Sequence, residues 1–329
     1  MAPRIRVGIA GTGSYAPERI VPNSWFEQFV DTSDEWIVQR TGIQERRFAA
    51  EDQATSDLAV EASRRALESA GVRAEDLDLI VLGTLTPDYL LPSTACLVQD
   101  RLGATNAGAF DVNAACTGFL TALHTGEAFI AAGRARRVLV IGAEKLTSFV
   151  DVQDRTSCII FGDAAGAAVL APLDDCGQGE ILRTTLGADG KGYDFIHMSG
   201  GGSRRPASAE TLAKKEHYIR MRGRDVFRFA VTYMGDMVRQ MMEGYTPDDV
   251  SLVVPHQVNK RIIEAALERL EIPPEKVMVN IEKYGNTSAA TVPLALDEAR
   301  RAGRIEKGKL VVLVAFGAGL TWGGTLLRW

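Results

Sequence analysis

The chain has 329 residues, of which 46% are hydrophobic, and a formal net charge of −5; it can bury the core of two fused halves and is too apolar for a tail or linker. The acidic balance excludes bulk attraction to nucleic acid, and no apolar run approaches the roughly 20 residues that span a bilayer. Four cysteines at irregular spacing form neither CxxC pairs nor a Cys/His metal pattern, so a reduced, cytoplasmic chain is expected.

The N-terminal apolar stretch is broken by Gly11, Gly13 and Pro17 and does not read as a signal peptide. Gly8-Ile-Ala-Gly11-Thr-Gly13 invites a dinucleotide-binding reading, but the third glycine is missing and Pro17 interrupts the helix that should receive a pyrophosphate. A tight structural turn is expected instead. Residues 78–84 read as a strand, and Leu90-Leu91-Pro92-Ser93 precedes a helix capped by Ser93. A short strand at 108–112 leads into a helix at 115–132, closed by Gly133, which adopts the left-handed conformation cheaply.

Cys116 is therefore expected in a first helical turn. Unpaired N–H groups and the positive dipole end favour a thiolate there, lowering the thiol pKa from about 8.5 toward neutrality. Ala114, Ala115 and Gly118 leave room for a substrate. The alternative is a buried structural cysteine packed against the sheet.

Residues 137–142 read as the next strand, and residues 200–206, Gly-Gly-Gly-Ser-Arg-Arg-Pro, as a mobile loop. Between 204 and 228 stand eight basic residues against three acidic ones, and the helix after Gly223 carries Val226, Phe229, Tyr233 and Met237 at helical spacing. One face packs and the other is basic, which suits either a solvated face or a docking surface for an acidic partner. A strand at 251–255 delivers His256, a strand at 277–280 leads to Asn286 and its helix, and another strand follows at 310–315. A histidine beside a strand is often only a hydrogen-bonded structural residue. An asparagine before Thr-Ser-Ala is most simply a helix N-cap.

The two halves repeat one pattern of strand, strand-to-helix turn and strand, with Cys116 and Asn286 in equivalent places. Packed about a pseudo-twofold axis, they bring the C-terminal ends of their central strands together, where α/β sheets bind ligands. The expected division is 1–175, carrying the cysteine, and 176–329, carrying the histidine and asparagine.

On these residues the sequence resembles the β-ketoacyl-acyl carrier protein synthase III enzymes, which are thiolase-fold condensing enzymes. The resemblance runs through Gly11-Thr-Gly-Ser-Tyr15, Asp31-Thr-Ser-Asp-Glu-Trp-Ile-Val-Gln-Arg-Thr-Gly-Ile43, Asp111-Val-Asn-Ala-Ala-Cys116-Thr-Gly-Phe119 and Ile160-Phe-Gly-Asp163. It continues through His256-Gln-Val-Asn-Lys-Arg261, Gly285-Asn-Thr-Ser-Ala289 and Phe316-Gly-Ala-Gly-Leu-Thr-Trp-Gly323. The Asp31 to Ile43 block and the separate Cys, His and Asn blocks favour this family over the plant-type polyketide synthases. A degradative thiolase would carry a second catalytic cysteine near the C-terminus, where none of Cys96, Cys158 or Cys176 lies.

The resemblance implies an α/β thiolase-like fold, two similar halves in α/β/α/β/α layers. It implies decarboxylative Claisen condensation of an acyl-CoA with malonyl-acyl carrier protein to initiate fatty acid synthesis, with no cofactor or metal. Cys116 would be the nucleophile, and the backbone N–H groups of Cys116 and Ala318 the oxyanion donors. Neutral His256 and the Asn286 amide would stabilise the enolate left by loss of carbon dioxide. Coenzyme A would lie against Thr32, Trp36, Arg40, Arg155 and Asn259, and the carrier protein against Arg228, Gln257, Lys260 and Arg261. Phe316 and Leu91 would bound the acyl pocket, Leu91 reaching across a homodimer interface to floor the partner's pocket. Leucine is smaller than the phenylalanine of acetyl-selective relatives and larger than the threonine of long-chain ones. The alternatives are a pathway-specific relative in specialised metabolism and a noncatalytic thiolase-fold partner subunit.

Overall fold

The computed structural model describes residues 4–268 and 270–329. Two sheets organise it. The first runs from edge to edge in the order Val7–Tyr15, Ala164–Pro172, Val138–Glu144, Leu79–Gly83, Gly108–Val112. The second runs Glu180–Ala188, Thr321–Arg328, Leu310–Gly317, Val250–Pro255, and Val277 extends its edge through a parallel bridge to Val253. The two orders superimpose strand for strand, as the internal repeat predicts. Where a full strand was expected at 277–280, however, only this bridge forms.

The central strands, such as Leu79-Ile-Val-Leu-Gly83 and Leu310-Val-Val-Leu-Val314, are apolar at almost every position because both of their faces are covered. Helices Gly118–Ala131 and Thr291–Arg301 lie between the sheets. Phe119 and Leu123 of the first and Val292 and Leu296 of the second share one core with Val140 and Leu313 of the two sheets. Each such side chain, withdrawn fully from water, contributes about 1.5–3 kcal/mol. Thr55–Ala70 and Thr94–Leu102 cover the outside of the first sheet, and Gly223–Met241 and Lys260–Glu268 cover the second. The result is the five-layer α/β/α/β/α thiolase-like fold.

Two local expectations change. Gly11 and Gly13 sit inside the strand Val7–Tyr15, not in a turn, and a Cβ on Gly13 would come within 2.3 Å of the Ala66 nitrogen; glycine is there to let the helix Thr55–Ala70 approach. Ser93 occupies the N-cap position of Thr94–Leu102 without a side-chain cap bond. The N–H groups of Thr94 and Ala95 donate instead to the two carboxylate oxygens of Asp111, each at 2.8 Å. Asp111 thus anchors the strand that leads to Cys116. Among the described residues, no helix is long and apolar enough to cross a membrane.

Candidate active site

Cys116, His256 and Asn286 line one cavity of about 310 Å³. Each stands beyond the C-terminal end of a strand or bridge on the Gly108–Val112 side of the first sheet or the matching side of the second. Cys116 lies in the one-turn 3-10 segment Ala115–Thr117 that opens the helix Gly118–Ala131. His256 follows Val250–Pro255, and Asn286 precedes the 3-10 turn Ser288–Ala290 that opens Thr291–Arg301. The strand Leu310–Gly317 ends against the cysteine, so closely that a Cβ on Gly317 would meet the Cys116 Cβ at 2.8 Å.

The repeat is real, but its register differs from the expected one. Ala115 and Ser288 both take the left-handed backbone, at φ 47° and 49°, a conformation that costs a non-glycine residue on the order of 1–3 kcal/mol. In each case the N–H donates to an asparagine Oδ1 two residues earlier: Ala115 to Asn113 at 3.4 Å, Ser288 to Asn286 at 2.8 Å. Asn286 therefore matches Asn113, and Cys116 matches Ala289. The strand-to-helix pattern alone conceals this offset, because the intervening 3-10 turn has no hydrophobic period.

His256 is 1% exposed, and burial alone pulls its pKa down to about 3, so the ring is neutral at pH 7. Its Nδ1 lies 2.7 Å from the Thr291 hydroxyl, whereas its buried Nε2 has no partner. Phe316 stands nearly perpendicular to the imidazole, 5.6 Å away between ring centroids. Asn286 spends its carbonyl oxygen on Ser288, which leaves its NH2 group as the donor for a ligand.

Cys116 departs from its expected electrostatics. Burial pushes its thiol up to about 12, opposed by the Ser288 hydroxyl and reinforced by Glu144. The unliganded thiol is neutral, not poised near pH 7. Glu144, fully buried at the end of Val138–Glu144, is itself raised to about 7, chiefly by burial. Sequence reasoning missed Glu144, Ser288 and Thr291. The one available signal was a carboxylate closing a wholly apolar strand.

Of the expected coenzyme A residues, Trp36, Arg40 and Arg155 cluster together, and Asn259 links this cluster to the cavity. The Arg40 and Arg155 guanidinium carbons lie 5.5 and 5.0 Å from the Trp36 ring centroid. Asn259 lines the cavity and donates to the Arg40 carbonyl at 2.9 Å. Thr32, half-buried, has a hydroxyl without a hydrogen-bond partner. Phe316 and Ala318 line the cavity.

The docking set needs correction. Arg228, Lys260 and Arg261 are exposed, but Gln257 is buried; its amide donates to the carbonyls of Pro255 and Met278, and its oxygen accepts from Asn280 N–H. It pins the bridge segment to the strand end and cannot face a carrier protein. Within the basic run, Arg205, Lys214, Lys215, Arg220 and Arg222 are all ion-paired, several with acids at 151, 154 and 194 far away in sequence. Only Arg204, Arg224 and Arg228 of that run lack an acidic partner among the described residues. Leu91 is 87% exposed and does not line its own chain's cavity.

Residues 110–190 match the family described as 3-oxoacyl-[acyl-carrier-protein] synthase III, and residues 241–329 match its C-terminal domain. The β-ketoacyl-acyl carrier protein synthase III of Caldanaerobacter subterraneus subsp. tengcongensis is 53% identical over 331 residues, covering 100% of this chain and 99% of that protein. That of Clostridioides difficile is 52% identical over 326 residues, covering 98% of each. The crystal structure of 3-oxoacyl-acyl carrier protein synthase III from Aquifex aeolicus superposes with a TM-score of 0.90 at 48% identity, covering 98% of this chain and all of that one. The chain belongs to the β-ketoacyl-acyl carrier protein synthase III family of thiolase-fold condensing acyltransferases.

Proposed function

We propose that the chain condenses an acyl-CoA starter with malonyl-acyl carrier protein, through an acyl-Cys116 intermediate, to begin fatty acid synthesis. The observation that carries this reading is the convergence of Cys116, a neutral His256 with an unpartnered Nε2, and the free Asn286 amide on one largely apolar cavity. Coenzyme A lies along Trp36, Arg40, Arg155, Thr32 and Asn259. Cys116 attacks the thioester, and the backbone N–H groups of Cys116 and Ala318 hold the oxyanion. The carrier protein then docks on Arg228, Lys260 and Arg261. Loss of carbon dioxide leaves an enolate whose oxygen accepts from the Asn286 amide and from His256 Nε2–H. An amide cannot usefully accept a proton near neutrality, which favours decarboxylation over proton abstraction as the source of the carbon nucleophile. The thioesters supply the activation, so the reading calls for no cofactor.

The same reading takes the chain as two halves, 1–175 and 176–329, working as a homodimer. Four free thiols suit a reducing, cytoplasmic setting. The test measures the half-reactions separately. Acyl-CoA alone should place one acyl group on Cys116 and none on Cys96, Cys158 or Cys176. His256→Ala and Asn286→Ala should keep much of that acylation while losing decarboxylation and condensation. Label on another cysteine, or full activity in Cys116→Ala, sinks the reading.

A further inference from the structure

The two N–H groups proposed to hold the oxyanion come from separate turns. Cys116 N–H belongs to the one-turn segment Ala115–Thr117, and Ala318 N–H to the turn that joins the strands Leu310–Gly317 and Thr321–Arg328. Such a pair holds an oxyanion only while both groups stand about 2.7–3.1 Å from one position, so the turns have to be fixed against each other. Backbone contact does part of this: a Cβ on Gly317 would lie 2.9 Å from the Cys116 nitrogen. The far end of the second turn is pinned where Leu320 N–H donates to the Asp189 carbonyl at 2.8 Å and Asp189 N–H to the Leu320 carbonyl at 2.9 Å. Ala318 lies between these anchors.

Two hydroxyls cross the remaining gap. Thr117 Oγ1 lies 2.7 Å from the Ala114 carbonyl and 3.0 Å from Thr321 Oγ1. Thr321 Oγ1 lies 3.2 Å from the Ala114 carbonyl and 3.0 Å from the Ala318 carbonyl. Each hydroxyl has one hydrogen. When Thr117 donates to Thr321, the Thr321 hydrogen can complete a chain from the cysteine's turn to the Ala318 carbonyl. When Thr117 donates to Ala114, Thr321 can donate to either carbonyl. Each of these carbonyls belongs to the peptide next to the one that carries a proposed donor. The Thr321 methyl is seated in the second turn as well, since a Cβ on Gly319 would meet it at 2.7 Å. Ala115, Cys116, Gly317 and Ala318 line the cavity, whereas neither threonine does.

We infer that Thr321 is a positioning residue for the oxyanion: its hydroxyl holds the 114–117 and 317–320 turns at the separation that lets Cys116 N–H and Ala318 N–H bond one oxygen. This rests on Cys116 being the acylated residue. In acylation the Cys116 sulfur bonds to the thioester carbon, and the carbonyl π pair moves onto the oxygen between the two N–H groups. Return of that pair expels the coenzyme A sulfur, which ends with the proton that the thiol gives up. The enolate later adds to the acyl-Cys116 carbonyl, whose oxygen occupies the same position. Both carbonyl additions therefore depend on the spacing that Thr321 sets.

The test compares single-turnover acylation by an acyl-CoA with that by its dithioester analogue, in which sulfur replaces the carbonyl oxygen; peptide mass reads the adduct on Cys116 in the same samples. Sulfur is a weak acceptor, so the dithioester reports the site without the help of the N–H pair. Thr321→Val removes the hydroxyl and keeps the shape. It should slow acylation by the oxygen thioester about 10- to 100-fold at saturation, shift the half-saturating concentration less than about twofold, and slow the dithioester less than about threefold. Thr321→Ser should restore the wild-type rates. Thr117→Val, which leaves Thr321 in reach of both carbonyls, should show a smaller loss with the same bias toward the oxygen thioester, and it carries the test if Thr321→Val fails to fold. An equal loss on both substrates, an unchanged rate in Thr321→Val, or a serine variant as slow as the valine one overturns the inference. Absence of a wild-type adduct on Cys116 would instead overturn the functional reading beneath it.

Discussion

The Thr291 hydroxyl lies 2.7 Å from His256 Nδ1 and 2.9 Å from the Ser288 carbonyl. It has one hydrogen and two possible acceptors. The Ser288 carbonyl also accepts the Thr291 backbone N–H; a hydroxyl that donates to Nδ1 in place of that carbonyl puts the ring hydrogen on Nε2, facing the cavity. That is the tautomer needed to stabilise an enolate oxygen. Thr291→Val leaves Nδ1 without its donor, a loss of about 1–3 kcal/mol. Condensation should therefore slow by about tenfold or more, with self-acylation changed by less than about threefold. Thr291→Ser should restore the rate, and nitrogen NMR of His256 should report Nε2–H in the wild type and a mixture in the valine variant. Nδ1–H in the wild type would contradict this assignment.

His256 and Glu144 pull the stability curve in opposite directions on acidification. His256 has a folded pKa of about 3 against about 6.5 unfolded, so below 6.5 the unfolded chain binds a proton that the fold refuses, and stability falls. Glu144 has a folded pKa of about 7 against about 4.5 unfolded; the fold binds the extra proton in that window, and stability rises as pH drops from 7. Each effect amounts to about 2 kcal/mol between pH 7 and 5, and they nearly cancel. Urea unfolding at the two pH values should show His256→Gln gaining stability at pH 5 relative to the wild type's change, and Glu144→Gln losing it. Parallel behaviour of the two variants would mean the buried charges are assigned wrongly.

The guanidinium groups of Arg40 and Arg155 both lie near the Trp36 ring, and Arg155 is tied down by a 2.8 Å bond to the Asp31 carbonyl. An adenine stacked there gains a π-face and cationic edges, each contact worth about 0.5–2 kcal/mol. Trp36→Ala should raise the KM for acyl-CoA roughly tenfold and leave kcat for bound substrate within about twofold. Single-turnover acylation at saturating acyl-CoA separates the two. A fall in kcat at unchanged KM would place the ring in the fold instead of the coenzyme A site.

With most of the basic run neutralised internally, docking falls to the residues that remain unpaired. Arg228 and Arg261 are exposed and carry no ion pair among the described residues. Reversing either charge should weaken use of malonyl-acyl carrier protein more than acylation by acyl-CoA. The loss should shrink with added salt, because exposed charges are screened beyond about 8 Å at physiological ionic strength. Equal losses with both substrates would indicate damage to the fold or to the coenzyme A site. By the same argument Arg222→Ala, whose partners are Asp194 and Asp225, should leave carrier-protein use unchanged.

Local pattern carried the fold and three of the site's residues because each leaves a mark within a few positions. Apolar strands, Gly133 after its helix, and Cys116, His256 and Asn286 beyond strand ends are all of that kind. What escaped depends on contacts between distant segments. Ser288 and Glu144 are 144 residues apart, and the acids that neutralise Lys215 and Arg220 come from Asp151 and Asp154. Gln257 sits in a motif that reads as surface, yet its amide is consumed by three backbone groups. The thiol pKa was read from the helix end alone, and burial outweighs it.

Leu90 and Leu91 are 89% and 87% exposed, beside a Tyr89 that is 60% exposed. Three consecutive large apolar side chains in water are a poor end state for a loop, and covering them would return about 25 cal/mol for each Å² removed. A second copy of the chain is the proposed cover, with Leu91 closing the partner's acyl pocket. If so, the size of residue 91 sets the chain length accepted. Each extra methylene adds about 0.8 kcal/mol until the pocket is full, after which crowding reverses the gain. Leucine should admit short, medium or branched starters; Leu91→Phe should narrow the profile toward acetyl-CoA, and Leu91→Ala should lengthen it. Competition among acyl-CoAs of graded length, with products identified by mass, reads the profile, and sedimentation reads the assembly. A dimer whose profile is the same in both variants would show that another residue floors the pocket, and a wild-type monomer that keeps full activity would remove Leu91 from the site altogether.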